Sequence, residues 1–314
     1  MTKNHLLGGV LGLCTGDALG VPVEYHLREE LRLNPVVDMM GPGVHDQPPG
    51  TWSDDSVLML CLAESLCTGY NLTDISERFV RSLYEGYWTP WGKMFDIGGT
   101  TKEAIHKLKK RPADPTSAGG RDEHSNGNGS LSRILPLAFT LGGLSWADRE
   151  RRVSEVSSLT HAHPRAILGC SLYIEIVLRL LVGQDASNAY LGSCAHAEKH
   201  LAENPELSHY NRYLSGELGA AAERSIRSTG YVVDTLEAAV WCLLTEKSFA
   251  GTVLKAVNLG DDTDTAAAVA GGLAGILYGR PGIPAKWLAQ LARRAEIDEL
   301  GERLFHSIVE KSKR

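Results

Sequence analysis

Residues 260–279 read GDDTDTAAAVAGGLAGILYG. Asp261, Asp262 and Asp264 crowd together, and a run of small apolar residues follows without a single charge. Such a run reads as a helix that is apolar on every face, which belongs in an interior. One short acceptor is enough to cap it. Three Asp and two Thr exceed that need, and like charges at this spacing repel. A second stretch has the same design. Residues 50–62 read GTWSDDSVLMLCL, with Ser53, Asp54 and Asp55 ahead of another nearly uncharged run. Carboxylates at the mouths of two buried helices lose part of their hydration, which is costly unless something neutralises them.

Working outward, the periodicity is helical along most of the chain. Residues 57–69 are apolar on most faces. Residues 74–88 place Ile75, Phe79, Val80, Leu83 and Tyr84 at three- and four-residue spacing. Residues 164–181 and 234–245 behave likewise, and residues 284–311 read as one amphipathic helix or a pair. Tyr231-Val232-Val233 is the one β-rich triplet, and it is short. The expected fold is all-α. Two loops, residues 34–53 and 111–129, are rich in Pro and Gly and resist helix. Related motifs fall on both sides of each, so neither reads as a linker, and one domain over 1–314 is expected.

The composition narrows the function. The chain has 314 residues, 43% of them hydrophobic, and a net charge of -6. Mild acidity argues against bulk nucleic-acid binding, which needs clustered Lys and Arg. The one basic run, Lys107 to Arg111, suits a solvated helix end. The 6 Cys include no CxxC pair and read as buried free thiols of a reducing compartment. The start, MTKNHLLGGVLGLCTGDALG, lacks a clean cleavage site and is interrupted by Asp17. No uninterrupted apolar run reaches the roughly 18 residues of a membrane span. A soluble, cytoplasmic protein with no membrane partner is expected, and a monomer.

Clustered carboxylates and hydroxyls, with no His or Cys beside them in sequence, suit magnesium, manganese or calcium rather than zinc. An EF-hand is excluded: counting from Asp262, the sixth position is Ala267 and the twelfth is Leu273. The site would instead be assembled from two distant segments. Together they supply oxygens enough for two ions, a known device for hydrolysis. Capping remains the plain alternative for each cluster.

Further motifs complete a pattern: GLCTGDALGVPVEY at 12–25, TWSDDS at 51–56, FDIGGTT at 95–101, SNGNGSLSRILPLA at 125–138, LTHAHP at 159–164 and GDDTDTAAAVAGGLAG at 260–275. In this order they resemble the ADP-ribosylglycohydrolase family, which includes dinitrogenase reductase-activating glycohydrolases and ADP-ribosyl-acceptor hydrolases. The similarity runs from Gly9 to about Gly279. It implies a compact orthogonal multi-helix bundle, two divalent cations, Mg2+ or Mn2+, and hydrolysis of the bond joining ADP-ribose to an acceptor on a protein or small molecule. Position by position it implies Ser53, Asp54, Asp55, Asp262, Asp264 and Thr265 as metal ligands. The family often has Thr at Ser53 and Gly at Asp261; the resemblance gives Asp261 no role.

Other residues carry two readings each. Glu24 reads alone as an exposed loop residue, and by resemblance as a group near the metals. Asp17 matches the family too, with a helix-terminal structural role equally open. Asp96 reads alone as a cap for a helix over 100–110, and by resemblance as part of the substrate loop. Gly127, Asn128, Gly129 and Ser130 read as a turn that opens a helix; bare N–H groups there favour phosphate. The resemblance gives them the diphosphate and adjoining ribose, with Arg133 either supporting that loop or facing phosphate. His161 and His163 suit structural or capping roles ahead of Pro164, and the resemblance favours ligand contact by His161. Tyr87, Trp88 and Trp91 read as an acceptor entrance or as a core-edge cluster.

Cleavage at the ribose anomeric carbon passes through an oxocarbenium-like transition state. Glu24, Asp55 and Asp262 are the candidate catalytic carboxylates, with the base among them left open. Two rivals stand beside the hydrolase: a silent ADP-ribose-binding protein and a two-metal nucleotide phosphohydrolase. Free ADP-ribose, no product, or AMP with ribose phosphate would separate the three.

Overall fold

The computed structural model describes residues 1–311. Among these residues the structure is all-α, as the periodicity predicts; the only extended pairings are two isolated bridges, Gly120 with His161 and Gly127 with Tyr231. Six helices frame the site: α1 (Lys3–Gly20), α2 (Asp54–Leu66), α3 (Gly99–Leu108), α4 (Pro164–Leu181), α5 (Val232–Thr245) and α6 (Thr263–Tyr278). One hydrophobic cluster runs through them, from Leu6 to Leu304. The 74–88 pattern becomes Leu72–Glu85, stopped by Gly86 in a left-handed conformation. The C-terminal pattern is a pair, Ala285–Gln290 and Arg294–Lys311. All six Cys are free.

The centre of the fold is the contact between α1 and α6. Gly8, Gly12, Gly16 and Gly20 recur every four residues and so form one edge of α1. They meet Gly275, Gly271, Ala267 and Asp264 of α6 in descending order, so the two helices run antiparallel. The backbones approach until a Cβ on Gly16 would sit 2.0 Å from the carbonyl oxygen of Ala267, and one on Gly20 would sit 2.4 Å from Cα of Asp264. Each helical Gly costs about 1 kcal/mol against Ala. Backbone-to-backbone packing that no side chain allows offsets this. The small-residue run of α6 is thus half of a seam.

Lys3–Val23 is also long and apolar enough to cross a membrane, with mean hydropathy 1.6. Asp17 still interrupts the uncharged run within it. The whole window is buried inside the fold, so its apolar side chains cover α6 and its neighbours.

The seam is testable. Gly16→Ala should lower the melting temperature by roughly 5–10 °C, from an overpacking cost of about 3 kcal/mol. Gly142→Ala, with nothing within 4 Å of the added carbon, should shift it by less than about 2 °C. Equal melting temperatures for the two variants in a thermal scan would contradict the close approach.

Candidate active site

Asp17, near the end of α1, is fully buried and does the capping that the acidic cluster of α2 was suspected of. Its carboxylate accepts from the N–H of Ser53 at 2.8 Å, the N–H of Ser56 at 3.0 Å and the hydroxyl of Ser56 at 2.5 Å. Ser53 is the N-cap of α2, its hydroxyl accepting from the Asp55 N–H at 3.4 Å. The start of α2 is therefore satisfied without the carboxylates of Asp54 and Asp55. At α6 the N-cap residue Asp262 makes no side-chain cap bond. Its Oδ2 accepts instead from Asn128 Nδ2 at 2.8 Å. Asp264 Oδ1 takes one first-turn donor, the Thr265 N–H at 2.8 Å, but capping accounts neither for Asp264 Oδ2 nor for Asp54, Asp55 and Asp262.

The two clusters open onto one cleft of about 660 Å³, lined by Asp54, Asp55, Asp262 and Thr265 together with Glu24, Asp96 and His161. Glu24 is buried, 4% exposed, and not an exposed loop residue. Its carboxylate gathers with those of Asp262 and Asp264 so that one oxygen of each lies within 4.8 Å of the others. Burial, reinforced by mutual repulsion, pushes the carboxyls of Glu24, Asp55 and Asp96 up to about 7. Hydroxyls of Ser132 and Thr265 pull Asp55 down against that trend. Asp54 and Asp264 are raised well above the usual range for the same two reasons. The buried cation behind the cleft, Arg133, gives its bonds to the carbonyls of Gly129, Val156 and Ser157. It supports the glycine loop rather than the acids.

Among the described residues two buried carboxylate oxygens have no hydrogen-bond partner: Oδ2 of Asp55 and Oδ2 of Asp264. An orphaned buried carboxylate oxygen costs about 1–3 kcal/mol or more. One on each cluster, in one acidic cleft, fits hard divalent cations held by oxygen. The residues present pass this test for a metal site. Thr265 stands beside them, and Ser53 is held as a cap.

Asp261 behaves differently from its neighbours. It sits at φ 59, in the left-handed region where Gly is most at ease and Asp is tolerated. Its N–H donates to the His26 carbonyl at 2.9 Å and its own carbonyl accepts from the Tyr25 N–H at 2.8 Å. The residue ties the loop after Glu24 to the start of α6 through its backbone, which explains why Gly serves at this position. Its carboxylate belongs to neither close group of candidate ligand atoms.

Opposite the acids lie backbone cradles. Gly127 to Ser130 do not open a helix, contrary to expectation; they form a turn with one helical bond, Ser132 N–H to the Asn128 carbonyl at 3.1 Å. The next helix waits until Leu135, because Asn126 and Asn128 pair with Val232 and Gly230 and pin the loop in extended form. Gly127, Asn128 and Gly129 line the cleft. The Ser130 side chain does not: it points inward to Cys170 and Ser157. His161 is buried against both glycines, its Nε2 3.6 Å from where a Gly127 Cβ would be. Its Nδ1 pairs with Thr160 Oγ1 at 2.7 Å. Burial first and Arg133 second push it down to about 3, so it is neutral. His163 caps α4, accepting from the Arg165 N–H at 3.1 Å.

Asp96 does not cap α3, whose N-cap is Gly98. At φ 54 it turns toward the cleft and accepts from the Tyr25 hydroxyl at 3.1 Å. Gly98 and Gly99, bare at the start of α3, line the wall with Thr100 and Thr101. Of the aromatic trio, Trp88 is buried, Tyr87 packs under Arg81, and Trp91 donates to Thr51. None lines the cleft; Trp88 sits in the core, while Trp91 is 59% exposed. Sequence reasoning missed His45. It lies in the 34–53 loop, yet its Nε2 bonds the Glu24 carboxylate. The neighbourhood of the acids is not free of imidazole.

The comparisons with known proteins agree with this geometry. The family model described as ADP-ribosylglycohydrolase matches residues 1–314. The ADP-ribosylarginine hydrolase Tri1 of Serratia proteamaculans is 34% identical over 307 residues, covering 95% of this chain and 78% of that protein. The ADP-ribosyl-[dinitrogen reductase] glycohydrolase of Rhodospirillum rubrum is 29% identical over 297 residues, covering 93% and 92%. A solved structure titled ADP-ribosylglycohydrolase-related protein complex superposes with a TM-score of 0.82 at 31% identity, covering 98% of both chains.

The buried charge sets a pH dependence in metal-free protein. Glu24, Asp55 and Asp96 titrate near 7 when folded and near 4 when unfolded. Between those values the folded state binds more protons, so stability falls as pH rises. In chelator the melting temperature should drop from about pH 4 to 7, Mg2+ or Mn2+ should restore it at pH 7, and Asp264→Asn should flatten the drop. A flat or rising profile for the parent protein would contradict the buried cluster. Calorimetric titration with Mn2+ should show binding lost in Asp264→Asn and kept in Asp261→Gly.

Proposed function

The chain belongs to the ADP-ribosylglycohydrolase family, and on that premise we propose that it hydrolyses the glycosidic bond between ADP-ribose and an arginine side chain with two divalent cations, Mg2+ or Mn2+. The observation that carries the reading is the pair of orphaned buried carboxylate oxygens: Asp55 Oδ2, on a residue that lines a cleft faced by glycine loops, and Asp264 Oδ2, on a residue whose carboxylate gathers with those of the lining residues Glu24 and Asp262. Asp54, Asp55, Asp262, Asp264 and Thr265 would hold the ions, with Ser53 fixing the helix start from which two of them project. Bound divalent cations would neutralise these charges, grip ribose hydroxyls and orient water. The name of the Serratia relative, an ADP-ribosylarginine hydrolase, supports arginine as acceptor. So does an acidic cleft, with Glu24, Asp96 and Asp261 in its lining, which suits a guanidinium.

The chain's own residues divide the remaining work. Backbone N–H groups of Gly98, Gly99, Gly127 and Gly129 offer donors to the diphosphate, which fixes the ribose over the acids; that of Asn128 is given to the Gly230 carbonyl. Neutral His161 presents Nε2 to the same loop without adding charge. As the C–N bond at the anomeric carbon opens, the guanidine leaves with its electron pair and water adds its oxygen to that carbon. A carboxylate oxygen of Glu24 takes one proton from the water, and the guanidine ends protonated. Asp262, held by Asn128, steadies the developing positive charge on the ribose.

The assay is release from ADP-ribosylated arginine in Mg2+ or Mn2+, with products separated by chromatography. Free ADP-ribose should appear, vanish in excess chelator, and fall at least about 100-fold in Asp264→Ala with the helical spectrum unchanged. AMP with ribose phosphate, binding without turnover, or full activity in chelator would overturn the proposal.

A further inference from the structure

Glu24 belongs to two groups at once. On one side stand Asp262 and Asp264; on the other stand His45 and Asp96, with the ligand atoms of each trio again within 4.8 Å of one another. Two adjacent acids, Glu24 and Asp96, would push each other apart unless donors stand between them. The structure supplies two. The Tyr25 hydroxyl donates to Asp96 Oδ1 at 3.1 Å. His45 Nε2 bonds Glu24 Oε2 directly and lies 3.9 Å from Asp96 Oδ1.

His45 is placed, not loose. Its loop is tied down by the Val44 N–H on the Pro22 carbonyl at 3.0 Å and by the Gln47 amide on the His45 carbonyl at 2.9 Å. Its ring packs against Phe95, centroids 5.3 Å apart, and Tyr25, 6.2 Å apart. The pair are in direct hydrogen-bond contact. When Glu24 is ionised, the form that can take a proton from water, it only accepts, so in that form the shared proton belongs on Nε2. We infer that His45 is a positioning residue: it holds the Glu24 carboxylate between Asp96 and the Asp262–Asp264 pair, in the place from which it meets water. The donor comes from the Pro-rich 34–53 loop, so that loop is part of the machinery.

The inference rests on the hydrolase reading for its kinetic arm and not for its spectroscopic one. His45→Phe keeps the ring against Phe95 and removes the donor. It should lower kcat by roughly 10–100-fold with KM within about twofold and the melting temperature unchanged. His45→Gln, which restores an N–H donor, should recover most of the loss. In a Glu24→Ala background, His45→Phe should cost less than about twofold further, because a residue acting through Glu24 has nothing left to act on. Independently of turnover, nitrogen-15 histidine NMR of the metal-free protein should show a His45 Nε2–H resonance, absent in His45→Phe and shifted in Glu24→Ala. Unchanged kcat in His45→Phe, additive losses in the double variant, or a His45 resonance indifferent to Glu24→Ala would each overturn it. If the parent protein releases no ADP-ribose, the hydrolase reading fails, and the resonance alone decides the pairing. The same resonance decides if His45→Phe does not fold.

Discussion

Helix α1 makes two contacts on which the site depends. Its glycine edge lets α6 approach backbone to backbone, down to Gly20 against Asp264. Its Asp17 reaches sideways and takes the N–H groups at the start of α2. One helix therefore sets where both acidic clusters begin. The sequence distance between Asp54 and Asp264 is bridged by an element that carries no candidate ligand oxygen itself. This is why small residues and a buried Asp sit within one helix that would otherwise tolerate Ala and Leu.

The electrostatics follow from that placement. Acids gathered and buried in one cleft cost the folded chain stability, and the hydroxyls and other donors around them offset only part of it, since Glu24, Asp55 and Asp96 stay raised to about 7. Arg133 is near enough to act but is committed to carbonyls. Neighbouring donors are used for aim instead: Asn128 on Asp262, Tyr25 on Asp96, His45 on Glu24. Such an arrangement stores unfavourable energy until a cation or substrate arrives, as functional sites commonly do.

Much of this was legible in the sequence. The uncharged runs after each acidic cluster implied buried helices, and surplus carboxylates at their starts implied more than capping. The capping alternative was right for Ser53 and His163. The missing parts share a physical cause, which is dependence on contacts distant in sequence. Gly127–Ser130 fail to open a helix because Gly230 and Val232 pair with that loop. Ser130 turns inward because Cys170 and Ser157 receive it. His45 reaches Glu24 only because Pro22 anchors its loop. Asp261 made no sense as one more anion. It makes sense as a left-handed residue whose backbone pins Tyr25 and His26. The seam of Gly8, Gly12, Gly16 and Gly20 was not read from the sequence, because the glycines take meaning only from the backbone of α6 that they meet.

The central claim is that α1 brings the two clusters to a shared pair of ions. Anomalous diffraction from crystals grown with Mn2+ tests it most directly. Two peaks roughly 3.5–4 Å apart, lying between Asp54–Asp55 on one side and Asp262–Asp264–Thr265 on the other, are the predicted result. Peaks confined to one cluster, peaks elsewhere, or no peak at saturating Mn2+ would contradict it.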